Sequence, residues 1–172
     1  LVGLATTNSP AFVAGSGTRR PVFGTDPMSL AAPAGDGTVL MIDQSSSATA
    51  FVSVRAAADR GESIPEGWAI DPDGNPTTDP NAAMAGALLP FGGARGANVA
   101  MIVEVLAAGL SGAHWGIDAP SITDGTEHPG VGLFVLALSP AMTGAQAFET
   151  STGGRLPRLA EDGSHIPGAR RD

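Results

Sequence analysis

The order of apolar and polar positions predicts three strands and two long helices. Short apolar runs indicate buried strands at Val2–Thr6 and Thr38–Ile42, and the run VGLFVLAL at Val131–Leu138 indicates a central strand. Serines before an apolar segment and a glycine after it predict a helix over Ser45–Arg60. A second helix is predicted over Ala94–Leu110, where apolar residues recur every three or four positions, at Val99, Ile102, Val103, Leu106 and Leu110.

The second predicted helix carries very little charge beyond its first turn. Glu104 is almost the only charged side chain on it, so we expect this helix to be buried on most sides. Ser139–Phe148 also has helical character, whereas the tail from Ser151, rich in Gly, Pro and Arg, indicates irregular structure. Strands interleaved with helices predict one α/β layered domain over the 172 residues.

Composition removes several kinds of chemistry. All nine basic residues are arginines, and the chain has no lysine, cysteine or tyrosine. A P-loop or Schiff-base lysine, a catalytic thiol, a disulfide and a tyrosine proton donor are therefore excluded from these 172 residues. The net charge of −8 disfavours nucleic acid as a partner. We also expect no membrane partner and a cytoplasmic location, because no apolar run reaches about 20 residues and no signal-peptide pattern opens the chain.

The common nucleotide and metal signatures are also missing from the sequence. Neither a G-x-G-x-x-G after a strand nor a G-x-x-x-x-G-K-[ST] occurs, which disfavours a Rossmann or P-loop site. The histidines are His114, His128 and His165, and none has the spacing of a helical metal pair. His128, with the neighbouring Glu127 and Asp124, is the nearest approach to a ligand set, and we predict no metal site.

The start of the second helix is a candidate anion site. Gly92 and Gly93 precede it and would let a ligand approach the backbone closely, where helical N–H groups and the positive dipole end attract a phosphate. Arg95 in the first turn is unfavourable with that dipole unless an anion binds, although a surface arginine paired with an aspartate is equally compatible. Arg170 and Arg171 could clamp a phosphate after a Pro-Gly turn, but a solvated tail is the simpler interpretation.

Two further segments contain groups suited to a ligand site. Asp43 follows an apolar run and could orient and charge-stabilise a histidine acting as a general acid; alternatively, it caps the helix predicted from Ser45. The turn-forming segment FGTDPMS at Phe23–Ser29 could hydrogen-bond a ribose or a phosphate, although a purely structural turn is more common.

Taken in order, several blocks of the sequence resemble those of the non-Rossmann malate/L-lactate dehydrogenase family. This family includes the reductases of Δ1-piperideine-2-carboxylate and Δ1-pyrroline-2-carboxylate, and the segments ALLPFGG and VEVLAAGLSG are most similar to that branch. The other matching blocks are TTNSP at Thr6–Pro10, FGTDPMSLAAP at Phe23–Pro33 (G-T-N-P in the family), IDQSSS at Ile42–Ser47 (D-x-A-T-S), IPEGWAIDPDGNPTTDP at Ile64–Pro80, GALLPFGGARG at Gly86–Gly96 (L-P-x-G-G-x-K-G) and HIPGARRD at His165–Asp172 (P-G-x-x-R).

The resemblance implies a fold, a cofactor and a set of site residues. The fold would be a three-layer α/β/α domain with a mixed sheet, a non-Rossmann nicotinamide-binding fold like that of L-sulfolactate dehydrogenase, and the site would be completed in a homodimer. Asp43 would partner the catalytic histidine. NADPH or NADH would be held by three segments, whose residues are Phe23, Gly24, Thr25, Asp26, Pro27, Met28 and Ser29, then Ala94 and Arg95, then Gly168, Ala169 and Arg170.

The chain departs from the family pattern in three ways. The family's catalytic histidine lies in an N-terminal segment that the 172 residues do not contain, and none of the three histidines matches it. Arg95 replaces the usual lysine, which keeps the charge but changes a point charge into a planar fork. Ser45–Ser47 replaces A-T-S. We therefore expect a fragment of a family member, lacking the histidine segment and the C-terminal helices and inactive alone, with the histidine on a missing segment or companion chain.

The resemblance favours an NAD(P)H-dependent oxidoreductase. The predicted reaction is hydride transfer to a small cyclic 2-imino acid or 2-keto acid, with the imino acid preferred. A 2-hydroxy-acid dehydrogenase acting on malate, lactate or ureidoglycolate is an open alternative within the same family. A non-catalytic nucleotide-binding module is a second, because Arg95 and Ser45–Ser47 differ from the usual residues.

Overall fold

The computed structural model describes residues 1–122, 125 and 127–168. They form two compact units, one of residues 1–5, 28–44 and the chain from 135 onward, the other of residues 6–27 and 45–134. No helix within the described residues combines the length and the apolar content needed to cross a lipid bilayer.

Nine strands and five α-helices follow one another along the described chain, with one π-helix and one 3-10 helix. In chain order they are β1 (Val2–Thr7), β2 (Val13–Ala14), β3 (Pro21–Phe23), β4 (Met28–Pro33), β5 (Val39–Gln44), α1 (Phe51–Arg60), β6 (Ala69–Ile70), β7 (Pro76–Thr77), α2 (Pro80–Ala85), β8 (Ala87–Leu88), α3 (Ala94–Val103), the π-helix (Glu104–Gly109), β9 (Leu133–Leu138), the 3-10 helix (Pro140–Thr143), α4 (Phe148–Gly153) and α5 (Leu156–Glu161).

The first unit contains a four-stranded sheet in the order β5-β4-β1-β9. Strands β4 and β5 form an antiparallel hairpin, with Ser29 opposite Asp43 and Pro33 opposite Val39. The turn between them contains Asp36, whose φ of 50° lies in the left-handed region. The segment Ser139–Phe148, predicted to have helical character, holds the 3-10 helix and the first residue of α4, whereas α5 lies in the tail from Ser151 that was predicted to be irregular.

The second unit holds the larger apolar core. Its five-stranded sheet has the order β3-β2-β8-β6-β7, in which β2 and β8 are parallel and the other pairs are antiparallel, so the sheet is mixed as predicted. Helices α1 and α2 contribute Val54 and Ala83 to a buried cluster that includes Leu88 of β8. Helix α2 begins where the Asp79 carboxylate accepts a hydrogen bond from the Asn81 N–H at 2.9 Å.

Several element predictions need correction. The strand predicted at Val131–Leu138 exists as β9, but it stands last in the sheet order, and Leu133 is 66% exposed, so the prediction of a central strand is wrong. Strand β5 is not buried throughout, since Val39 and Met41 are exposed on one face. The helix predicted from Ser45 begins at Phe51 instead, while its end is confirmed at Gly61, which adopts a left-handed cap.

The predicted helix over Ala94–Leu110 is confirmed in extent but not in burial. It is α-helical to Val103 and continues as the π-helix to Gly109. The expectation of burial on most sides is wrong, because the outer face of this segment carries exposed apolar side chains. These are Met101, Ile102, Val105 and Leu110. The π-helix begins at Glu104, the one acidic side chain of this segment, and that side chain is turned inward.

Candidate functional site

Three loops of the second unit meet at Ser46. The Thr25 carbonyl oxygen accepts hydrogen bonds from the Ser46 N–H at 2.8 Å and from Ser46 Oγ at 2.9 Å. The Ser46 carbonyl oxygen in turn accepts from the Phe91 N–H at 3.0 Å. We call this arrangement the Ser46 junction. It fixes the turn around Thr25 and the turn before α3 relative to each other through backbone groups.

Helix α3 starts directly against the Ser46 junction. The Gly96 N–H donates to the Phe91 carbonyl oxygen at 2.9 Å. A Cβ atom built on Gly96 would lie 2.6 Å from Phe91 N, Phe91 O and Ser46 O, which no real side chain tolerates. Only glycine at position 96 therefore lets the first turn of α3 approach the junction this closely.

The turn that leads into α3 is open to solvent. Gly92 and Gly93 have φ angles of 57° and 65°, and nothing lies within 4 Å of a Cβ built on Gly93. Ala94 and Arg95 follow in the first turn of α3, and both are exposed. An exposed arginine thus stands in the first turn of α3, at the positive end of the helix dipole, a combination suited to an anion.

The segment Phe23–Ser29 performs several structural tasks. Phe23 ends β3 and packs against the core, and the Pro27 carbonyl oxygen accepts from the Thr7 N–H at 3.2 Å. Gly24 and Asp26 are buried, and Asp26 is 0% exposed. Met28 and Ser29 begin β4. A ligand at this segment would therefore meet Thr25 and the backbone, not the carboxyl of Asp26.

Asp43 lies on β5 in the first unit and is exposed, with its Cα opposite that of Ser29. Helix α1 begins after Ala50, so the alternative that Asp43 caps this helix is wrong. Among the described residues, no histidine forms a hydrogen bond with Asp43: the rings of His114 and His128 bond to the backbone of Pro129 and Gly130 instead.

The third predicted cofactor segment is described only at its beginning. Gly168 has a φ of 83°, and a Cβ built there would lie 3.0 Å from Met41 N, so this glycine packs closely on β5. Ala169, Arg170 and Arg171 lie outside the described residues, as does Asp124 of the weak histidine cluster. In the described part of the chain, no group of three or more acidic or histidine side chains could hold a metal ion.

Glu104 is a buried acid that the sequence analysis did not assign to a site. It is 1% exposed, and its Oε1 accepts from the Gly116 N–H at 2.9 Å and its Oε2 from Asn8 Nδ2 at 3.4 Å. Asn8 also accepts from the Gly132 N–H at 2.7 Å and donates to the His114 carbonyl oxygen at 2.8 Å. Burial raises the pKa of Glu104, while the Gly116 and Asn8 hydrogen bonds oppose this rise.

Asp26 lies in the same region and has a different environment. Neither oxygen of its buried carboxyl has a hydrogen-bond partner. Burial and the nearby negative charge of Glu104 raise the pKa of Asp26 to about 8. The sequence contained a signal for each member of this pair. Glu104 is the only acid within an apolar helix, and Asp26 lies inside a Gly-Thr-Asp-Pro turn, but nothing in the sequence linked the two residues.

Comparison with known proteins gives consistent matches over nearly the whole chain. The family model described as malate/L-lactate dehydrogenase matches residues 1–169. The chain is 42% identical to (2R)-3-sulfolactate dehydrogenase (NADP(+)) of Chromohalobacter salexigens, over 99% of this chain and 52% of that protein. It is 38% identical to Δ1-pyrroline-2-carboxylate/Δ1-piperideine-2-carboxylate reductase of Pseudomonas putida, over 99% of this chain and 51% of that protein.

A solved structure agrees with these sequence matches. The crystal structure of Δ1-piperideine-2-carboxylate reductase from Pseudomonas syringae pvar. tomato superposes with a TM-score of 0.90 and 36% identity, covering 97% of this chain and 51% of that one. The chain thus spans about half the length of the curated relatives it matches. The matches confirm the family resemblance and the α/β fold predicted from the sequence motifs.

Proposed function

We propose that this chain, which belongs to the malate/L-lactate dehydrogenase family, is the nicotinamide-binding part of an NAD(P)H-dependent reductase of a small cyclic 2-imino acid. The substrate class is of the Δ1-pyrroline-2-carboxylate and Δ1-piperideine-2-carboxylate type, which the names of the matched reductases support. The observation that carries the proposal is the open start of α3, where Arg95 and the Gly92–Gly93 turn are held against the Ser46 junction.

The residues present fit the phosphate-bearing part of a nicotinamide cofactor. An exposed arginine in the first turn of a helix opposes the helix dipole, and a bound phosphate would remove this conflict. Gly92 and Gly93 are exposed and carry no side chain that would block the approach to the backbone. We assign cofactor binding to Ala94, Arg95 and the Thr25 segment, and, from the family pattern, to Gly168 with Ala169 and Arg170.

A nicotinamide cofactor, when bound, supplies the hydride that is added to C2 of the substrate. The role of this chain is then to bind the cofactor and to provide Asp43. The exposed carboxylate of Asp43 would accept a hydrogen bond from a catalytic histidine, hold its ring orientation and favour its charged form, which donates the proton. We propose that this histidine comes from a segment outside the 172 residues, since no described histidine bonds to Asp43.

A second candidate is a 2-hydroxy-acid dehydrogenase that uses the same site. The specific observation in its favour is the 42% identity to a sulfolactate dehydrogenase, against 38% for the Pseudomonas putida reductase. Both reactions transfer a hydride at C2 beside a carboxylate, so Arg95 and Asp43 serve either one. The choice between NADH and NADPH, the homodimer and the cytoplasmic location stay predictions.

The test is a set of absorbance assays of NADPH and NADH consumption. The complete polypeptide is supplied with Δ1-pyrroline-2-carboxylate, and in parallel with oxaloacetate and 3-sulfopyruvate. We expect consumption with the imino acid, and a preference for a keto acid would support the second candidate instead. The 172-residue chain alone should not turn over, and activity in that chain would refute the assignment of an external histidine.

A further inference from the structure

The buried carboxyl groups of Asp26 and Glu104, both in the second unit, lie close to Gly24. A Cβ built on Gly24 would collide with Asp26 Oδ1 and Ser9 Oγ. A Cβ built on Gly116 would lie 2.6 Å from Glu104 Oε1 and 3.0 Å from Gly24 N. Glycine at both positions therefore lets the two acids approach the same stretch of backbone, and neither acid reaches solvent.

The hydrogen-bond donors around the two acids are distributed unequally. Glu104 accepts from the Gly116 N–H and from Asn8, as expected for a charged carboxylate. Neither oxygen of Asp26 has a hydrogen-bond partner of ordinary geometry, and the nearby backbone N–H groups of Ser9 and of Asp26 itself offset the rise of its pKa only in part. A buried charge without well-placed donors is far more costly than a neutral carboxylic acid in the same place.

Oxygen atoms of Ser9 and Asp26 surround the α-carbon of Gly24. A Cβ built on Gly24 would collide with Asp26 Oδ1 and would lie 2.5 Å from the Ser9 carbonyl oxygen. A protonated acid can donate a hydrogen bond and suits such oxygen-rich surroundings better than a carboxylate, which can only accept. Asp26 also has a φ of 44°, a conformation that asparagine and aspartate tolerate better than other side chains.

We propose that Asp26 and Glu104 share a single proton, carried by Asp26 while Glu104 holds the charge, and that the uncharged Asp26 positions the Gly24–Pro27 turn. Asp26 is thus a positioning residue, and it stands where the family's G-T-N-P segment has an uncharged asparagine. Any effect of Asp26 on cofactor binding rests on the proposed function. The protonation of Asp26 does not depend on that function.

Charged groups act on both acids of the pair. The negative charge of Glu104, at the start of the π-helix, raises the pKa of Asp26. Asp118 acts in the opposite sense, because its charge raises the pKa of Glu104, but the hydrogen bonds that Glu104 accepts from Gly116 and Asn8 lower it. His114 contributes its carbonyl oxygen to Asn8, while its ring lies against the Pro129 carbonyl. The hydrogen bonds to Glu104 and the lack of comparable bonds to Asp26 place the proton on Asp26.

The consequence for stability has a definite sign. The folded pKa of Asp26, about 8, lies above its ordinary value of 3.8, so the folded state holds a proton that the unfolded state has lost between these values. The stability that this group contributes is complete below about pH 4, declines as pH rises and is fully lost above about pH 8. In this window the unfolding equilibrium constant should rise about tenfold per pH unit from this group alone.

The test compares urea unfolding of the wild-type chain, D26N and D36N across this pH range, without cofactor. Asparagine has the same shape and no acidic proton, so D26N should lose the part of the pH dependence of stability that Asp26 contributes. As pH rises, the free energy of unfolding of D26N should therefore increase relative to that of the wild type. Asp36 also has a positive φ but is exposed, so D36N should follow the wild-type curve. Parallel curves for D26N and the wild type would overturn the proposal.

A second measurement keeps the proposal testable if D26N fails to fold. The infrared spectrum of the wild type at neutral pH should contain the C=O band of a protonated carboxylic acid, which disappears as pH rises past about 8. E104Q removes the neighbouring charge and should move that disappearance to lower pH. No such band at neutral pH, or a stability that follows sodium or potassium concentration instead of pH, would overturn the proposal, because a bound cation would then neutralise the pair.

Discussion

Replacing Gly96 by alanine tests whether the start of α3 depends on close contact with the Ser46 junction. The added methyl group has no room, because the three atoms 2.6 Å from its position are backbone atoms of Phe91 and Ser46. Backbone atoms cannot turn aside as a side chain can. We therefore expect α3 to move away from the junction and the hydrogen bonds there to lengthen.

The expected loss of stability follows from opposing contributions. Alanine is favoured over glycine in a helix by about 0.5–1 kcal/mol, which acts to stabilise G96A. Overpacking costs about 1–3 kcal/mol, and weakening the bonds from Gly96 N to Phe91 O and from Phe91 N to Ser46 O costs about 1 kcal/mol each. The net result should be a loss of about 2–4.5 kcal/mol in the free energy of unfolding.

Urea unfolding of G96A and G109A measures this loss against a matched control. Gly109 also lies in the long helical segment, but a Cβ there meets its nearest atom, of Trp115, at an ordinary 3.5 Å. G109A should therefore be as stable as the wild type or slightly more so. If G96A proved as stable as G109A, the tight junction would be refuted.

Three further substitutions test separate parts of the account. L88A removes a core side chain that is 1% exposed and should cost about 2–5 kcal/mol of unfolding free energy, so a loss below about 1 kcal/mol would contradict the core described. D79A removes the cap of α2 and should cost about 1 kcal/mol in the same urea experiment, whereas D79N should retain most of that stability. D43N should leave the unfolding midpoint unchanged, because Asp43 is exposed, yet lower kcat of the complete enzyme at least about 100-fold; wild-type turnover would remove Asp43 from the mechanism.

The periodicity of apolar residues predicted the long elements well and their surroundings poorly. The repeat in the segment from Ala94 predicted one long helix, but a repeat cannot show which faces meet another element. An apolar run likewise predicts a strand without its place in a sheet, which is why β9 was expected at the centre. The short helices α4 and α5 were not predicted, because an element of six residues is too short to show an apolar repeat and the tail from Ser151 was judged by its Gly, Pro and Arg content.

The start of α1 shows why local signals failed near the site. Serines at positions 45–47 indicate a helix start, yet Ser46 bonds to Thr25 and Phe91, which are far from it in the sequence. Ser47 Oγ donates to the Thr49 carbonyl oxygen, which holds the chain out of the helix until Phe51. The exposed Arg95 turn could be predicted because its signal is local. The raised pKa of Asp26 could not be predicted, because it depends on burial and on Glu104, which is distant in the sequence.

Binding of NADPH and NADH by the protein, followed by calorimetry, is the most direct test of the nicotinamide site. The wild type and R158A, which changes an exposed arginine on α5, should bind with equal affinity. R95A should bind at least about tenfold more weakly, because a charge-assisted contact to phosphate contributes about 1.5–3 kcal/mol. Equal affinity of R95A and the wild type, or no binding of either cofactor by the wild type, would contradict the account.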